Sequence, residues 1–310
     1  MRQVHSNVNT FTTTTIGQEH GFVELSGAIL ELIKIRITFF VGMSAIFGYL
    51  IATTGISLEM ILPVVGIFLL SCASAAMNHF QERKTDALMH RTQKRPLPSG
   101  IIQPGSVLAI IMALASIGSF LILEFGNLQA LILSWLAFLS YNVVYTPLKK
   151  VTPFAVIPGS FVGAFPVMAG WAAAGGNIFD PKLIAISTFF FIWQIPHFWL
   201  LMDIYDVDYR RAGFPTLINR LGERKSSILN FSLIAVLPWC SAFFISTEIV
   251  HNIFVYAAMM VLGAWLVIST LSILRKRGDR LANKAAFMKI NVYVLAVTLV
   301  VMIDKVINLI

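Results

Sequence analysis

The chain has 310 residues, 57% of them hydrophobic and only 12% charged, and its mean hydropathy is +0.79. That balance excludes an ordinary soluble globule and fits a polytopic membrane protein. The net charge of +8 does not by itself call for nucleic acid, because basic loops on one side of a membrane produce the same excess.

In chain order, residues 1–27 read as a disordered cytoplasmic tail and 28–310 as a single transmembrane domain. The first residues lack the basic-then-apolar pattern of a signal peptide. A mitochondrial transit peptide is arginine-rich and acid-poor, whereas this stretch has Arg2 alone beside Glu19 and Glu24. The expectation is therefore a bacterial inner membrane. Nine apolar runs follow, at about 35–54, 60–80, 105–123, 128–145, 154–174, 181–202, 227–247, 252–274 and 288–308. Each is about the length of a bilayer-spanning helix. Cys72 and Cys240 lie in separate runs, with neither metal-ligand spacing nor a disulfide framework, and read as small apolar filler.

The bases test this topology. Of 23 Lys and Arg residues, all but Lys182 and Lys305 fall on one side of the nine-span arrangement. The asymmetry puts the amino terminus in the cytoplasm and the carboxyl terminus outside. The connections after the second and sixth spans are long and mix acids with bases, so chemistry is expected at the cytoplasmic mouth.

The stretch from Asn78 to Pro98 is the most informative. Asn78, Glu82 and Asp86 are spaced four apart, so a helix carries all three on one face. Three oxygen-bearing side chains suit a hard cation such as Mg²⁺, which is commonly shared between carboxylates and substrate phosphates. Arg83, Lys84, Arg91, Lys94 and Arg95 accompany the acids. Acids mixed with bases suggest metal and phosphate handled together. Taken singly, the bases read equally well as a solvated cytoplasmic loop, but Asn78 and Glu82 lie at the mouth of an apolar run, where charge is expensive.

The fourth run ends in Tyr145-Thr146-Pro147-Leu148-Lys149. Lys149 serves either as a topology signal or as a phosphate contact. The sixth run contains Trp193-Gln194-Ile195-Pro196-His197-Phe198, with polar groups where hydrocarbon penalises them. His197 is a structural hydrogen-bonder, a haem ligand or a proton carrier. Phe190, Phe191, Trp193, Phe198 and Trp199 are candidates to line an apolar chamber. Asp203, Asp206 and Asp208 follow at irregular spacing: the first two share a helical face and the third does not.

Together these pieces resemble the UbiA superfamily of intramembrane prenyltransferases, and in particular its haem-modifying branch. The resemblance covers about residues 30–225, and more loosely the whole chain. It rests on Asn78-x3-Glu82-x3-Asp86 with Arg91-Thr92-x2-Arg95-Pro96, on Tyr145 to Lys149, and on Gly163-Ala164-Phe165-Pro166 with Gly170-Trp171. Trp193 to Phe198 and Asp208-Tyr209-x2-Ala212-Gly213 complete it. The resemblance implies an all-α fold of about nine transmembrane helices around a central cavity. It implies Mg²⁺ as cofactor, farnesyl diphosphate and haem B as substrates, and a hydroxyethylfarnesyl haem as product. By position, Asn78, Glu82, Asp86 and Asp208 would hold Mg²⁺ and diphosphate. Arg91, Arg95 and Lys149 would neutralise the leaving group, and His197 would contact haem. Membrane lipid surrounds such a protein, and haem A synthase or a terminal-oxidase assembly would take its product. Glu82 departs from the family's usual Asp, and the second cluster lacks Asp-x3-Asp, which weakens the case for a symmetric two-metal site. Two rivals share some of these features. One is a sister enzyme with a quinone-precursor or chlorophyllide acceptor. The other is a transporter of an anionic metabolite.

Overall fold

The computed structural model describes residues 22–55 and 57–309. Residues 1–21, most of the expected tail, lie outside the described residues. Within that expected tail a helix already begins, Phe22–Leu32. Among the described residues, nine helices are long and apolar enough to cross a membrane. They are Ile35–Ala52, Leu58–Asp86, Pro104–Phe125, Leu128–Leu148, Pro153–Ala173, Pro181–Ile204, Leu217–Ser246, Ile253–Arg275 and Arg280–Ile307. All nine coincide with the expected runs, and no strand occurs among the described residues.

The differences lie at the ends. The second span continues to Asp86, well past the end of the apolar run, so it carries Asn78, Glu82 and Asp86 together. The seventh starts earlier than hydropathy suggests, at Leu217 after the N-cap Thr216, and turns at Gly222, whose φ of 79° suits glycine. The ninth likewise begins early because Asp279 caps it, accepting a hydrogen bond from the Ala282 amide at 2.7 Å. Hydropathy sees only the greasy part of a helix, whereas caps and polar turns set where it starts.

Without a hydrophobic drive between helices in lipid, close packing relies on small residues. The first and fifth spans show this directly. A Cβ on Gly48 would sit 2.0 Å from the Val167 carbonyl oxygen, and one on Gly170 would sit 1.9 Å from that of Ala45. Two backbones thus touch at paired glycines. One core joins the first five spans around Leu70, Val107, Ile122 and Ala169. Another joins the sixth to ninth spans to the first and fifth, around Phe189, Phe244 and Tyr293.

Candidate functional site

The site begins at the inner end of the second span. Asn78, Glu82 and Asp86 share one face as their spacing requires, and all three are buried, at 1%, 5% and 1% exposed. Carboxylates so removed from water need partners. Lys149 Nζ lies 2.7 Å from Glu82 Oε1, and Arg95 Nη1 lies 2.7 Å from Asp86 Oδ2. The other Asp86 oxygen, Oδ1, is buried with no hydrogen-bond partner.

Local sequence explains how these groups arrive. After Asp86 the chain folds back in successive turns: Thr92 Oγ1 donates to the Asp86 carbonyl at 2.8 Å, and the Arg95 amide donates to the Thr92 carbonyl at 3.0 Å. That return carries Arg95 onto the carboxylate nine residues before it. The fourth span loosens into a π-helical turn over Ser140–Tyr145 before Pro147. Such turns free backbone groups and are frequent at functional sites. Here Gln81 Nε2 donates to the Asn142 carbonyl at 3.1 Å, and Asn142 Nδ2 donates to Ser74 Oγ at 2.7 Å. Asn78 Nδ2 donates to Thr146 Oγ1 at 3.0 Å. The fourth span is thus laced to the second along its length, which fixes Lys149 over Glu82.

Lys34, one of the bases that set the topology, has a second role in the structure. Its Nζ donates to Asn78 Oδ1 at 2.7 Å and approaches the Tyr141 hydroxyl at 3.4 Å. Burial, then the nearby Arg95 charge, pulls its pKa down to about 7. For Lys149, burial is outweighed by Glu82 and the surrounding tyrosines, so its pKa rises. The Lys34 backbone takes the left-handed conformation, φ 50°, unusual for a residue with a side chain. It marks the break between Phe22–Leu32 and the first span. No sequence pattern distinguishes this lysine from Arg36 beside it, because the turn that aims it inward is local.

The second acidic cluster divides. Asp203, still on the sixth span, accepts from Ser226 Oγ at 2.9 Å and Asn230 Nδ2 at 3.2 Å, both on the seventh. Asp206 opens a separate short helix, Asp206–Arg211, accepts from Thr216 Oγ1, and pairs with Arg210 at 2.8 Å. Asp208 is half-buried, and its carboxylate has no partner among the described residues. Arg91 does not join Arg95 on the acids. Its guanidinium lies 4.8 Å from the centre of the Tyr205 ring, tying the second-to-third connection to the end of the sixth span.

Aromatic rings run from this end towards His197. Lys149 Nζ lies 5.2 Å from the Tyr145 ring centre, Tyr145 stacks on Phe198 at 4.9 Å, and Phe198 meets His197 at 5.7 Å. His197 Nδ1 lies 2.9 Å from Asn291 Oδ1 on the ninth span. Of the rings expected to line a chamber, Phe190 is instead buried in the core against Phe47 and Phe189. Trp199 is tied down by its Nε1, which donates to the Pro153 carbonyl at 2.9 Å.

Among the described residues, no three His, Cys, Asp or Glu side chains form a metal cluster on their own. The oxygen set at the second span is a partial one: three side chains on one face, with an unpartnered buried carboxylate oxygen. That chemistry fits a hard cation completed by ligands from a substrate.

Residues 41–293 match the model of the UbiA prenyltransferase family. The chain belongs to that family. It is a prenyltransferase and a multi-pass membrane protein. It is 31% identical to a protein named protoheme IX farnesyltransferase from Oleidesulfovibrio alaskensis, over 91% of this chain and 97% of that one. Its fold is similar to that of a digeranylgeranylglyceryl phosphate synthase, with a TM-score of 0.73 at 18% identity, covering 90% of this chain and 98% of the other. It is also similar to a UbiA homologue from Archaeoglobus fulgidus bound to DMAPP and Mg²⁺, with a TM-score of 0.62 at 16% identity, covering 89% and 99%.

Proposed function

We propose that this prenyltransferase moves a farnesyl group from farnesyl diphosphate to a vinyl group of haem B, with addition of water, to give haem O. The observation that carries the reading is the line from Lys149 through Tyr145 and Phe198 to His197. It joins an acid-and-base cluster suited to diphosphate to an imidazole suited to haem. The names of the curated relatives support the same acceptor.

Asn78, Glu82, Asp86 and Asp208 would hold Mg²⁺, which supplies positive charge to the leaving diphosphate when bound. Arg95 and Lys149 supply the same kind of charge from the protein, already in place before the bond breaks. Arg91, stacked on Tyr205, would add a further positive charge for the leaving diphosphate. The C1–O bond of the donor breaks and its electron pair leaves with diphosphate. The terminal vinyl carbon then bonds to C1, and water supplies hydroxide to the inner vinyl carbon and a proton to diphosphate. The stacked Tyr145 and Phe198 rings would form an apolar wall between the two ends. His197 holds the acceptor.

By the distribution of bases, the site faces the cytoplasm of a bacterial inner membrane, with the amino terminus on that side. Haem A synthase or a terminal-oxidase assembly would receive the product. The test is reconstitution: purified protein with haem B, farnesyl diphosphate and Mg²⁺ yields haem O by mass, and chelation or Asp86→Ala stops it. Full turnover by Asp86→Ala, or a prenylated quinone precursor formed in preference to haem O, overturns the reading.

A further inference from the structure

The His197–Asn291 contact fixes more than a distance. Asn291 Nδ2 donates to the Phe287 carbonyl at 2.6 Å, one turn back on the ninth span. A backbone carbonyl only accepts, so the amide must turn its NH2 end towards it. The oxygen end then faces His197 Nδ1 at 2.9 Å. Two acceptors cannot share a hydrogen bond, so Nδ1 carries the proton. In a neutral imidazole that leaves Nε2 with the free lone pair. Nε2 has no hydrogen-bond partner among the described residues. Phe287, Trp193 and Phe198 pack round the ring at 4.8, 5.0 and 5.7 Å between centres, which limits its rotation.

We propose that Asn291 is a positioning residue for the acceptor: it holds His197 as the Nδ1–H tautomer and so presents Nε2 to the haem iron. This rests on the reading above that His197 contacts haem. Histidines that bind metals usually donate their second ring N–H to an oxygen, and losing that oxygen commonly costs 10–100-fold in affinity. The feature is invisible in the sequence, because 94 residues separate the two side chains.

The test uses the full-length protein in detergent. Nitrogen-15 NMR of labelled histidine, with the His197 signal assigned by its loss in His197→Ala, should show Nδ1 protonated and Nε2 free in the unliganded protein. A proton on Nε2 overturns the proposal without any change at Asn291. Haem B titrations followed by absorption spectra give the second arm. Asn291→Leu should weaken binding about 10-fold, with the KM for farnesyl diphosphate unchanged. Asn291→Asp keeps the acceptor oxygen but loses the donor to the Phe287 carbonyl, so it should recover part of the binding lost in Asn291→Leu. If His197→Ala loses the haem spectrum while Asn291→Leu keeps wild-type affinity, the positioning role fails and the haem contact stands. If His197→Ala binds haem with an unaltered spectrum, the parent reading fails and the proposal with it.

Discussion

Lys149 and Glu82 meet at 2.7 Å across the ends of two spans; Glu82 is buried and the Lys149 side chain is only 12% exposed. Neither charge is cheap to bury alone, so each makes the other tolerable. Losing one member of such a pair costs about 3–5 kcal/mol, because the survivor stays charged in a dry place. Lys149→Met should therefore lower the melting temperature sharply. Adding Glu82→Gln should restore most of it by removing the stranded carboxylate. Turnover should stay at least about 100-fold down in both, since the charge facing diphosphate is gone. Thermal melting paired with haem O formation separates the two effects. Recovery of activity in the double variant would show that Lys149 matters only as a counter-ion for Glu82.

The three acids at and after the end of the sixth span predict three different outcomes. Asp203→Ala orphans Ser226 and Asn230, at a cost of about 1–3 kcal/mol in stability. Asp206→Asn loosens the contact to Thr216, and its pair with the exposed Arg210 contributes little. Asp208→Asn should leave the melting temperature unchanged and cut turnover about 100-fold, because a carboxylate without protein partners is free for metal and diphosphate. The decisive comparison is the ratio of activity loss to stability loss across the three. An active Asp208→Asn beside a folded but inactive Asp206→Asn would move the metal role proposed for Asp208 to Asp206.

Much of this was legible in the sequence. Nine apolar runs gave nine spans, and a spacing of four put Asn78, Glu82 and Asp86 on one face because helical geometry leaves no alternative. Arg95 and Lys149 lie against Asp86 and Glu82, contacts that the mixture of acids and bases in the sequence does not specify. Arg91, expected beside Arg95 at the diphosphate, stacks on Tyr205 while Arg95 reaches Asp86. Lys34 looked like any juxtamembrane base; only a left-handed turn aims it at Asn78. Phe190 and Trp199 looked like chamber lining because sequence gives an aromatic's position along a helix but not which neighbour covers it. Asn291 carried no signal, since its meaning depends on a partner on another span.

Lys34 gives the protein a stability that depends on pH. Its folded pKa is about 7, against an ordinary 10.5. Between those values the unfolded chain binds a proton that the folded chain has released. Stability therefore rises with pH through that window. The wild-type melting temperature should climb between about pH 7 and about pH 9 relative to Lys34→Met, in which the lysine no longer contributes. Parallel curves for the two proteins would mean that the buried amine keeps its proton.

His79 follows Asn78 on the second span and is only 1% exposed, yet both ring nitrogens are buried without a hydrogen-bond partner. One residue along a helix is about 100° round it, so His79 does not share the face of Asn78, Glu82 and Asp86. It is a buried polar ring with nothing to bond among the described residues. Each unsatisfied buried group costs about 1–3 kcal/mol, whereas an apolar group of similar size there costs nothing of the kind. His79→Leu should therefore raise the melting temperature, while haem O formation stays within about twofold of wild type. The pairing of the two measurements is what discriminates. A rise in stability with a collapse in turnover would mean that the imidazole is held unsatisfied for the reaction, and a fall in stability would mean that a water bonds the ring.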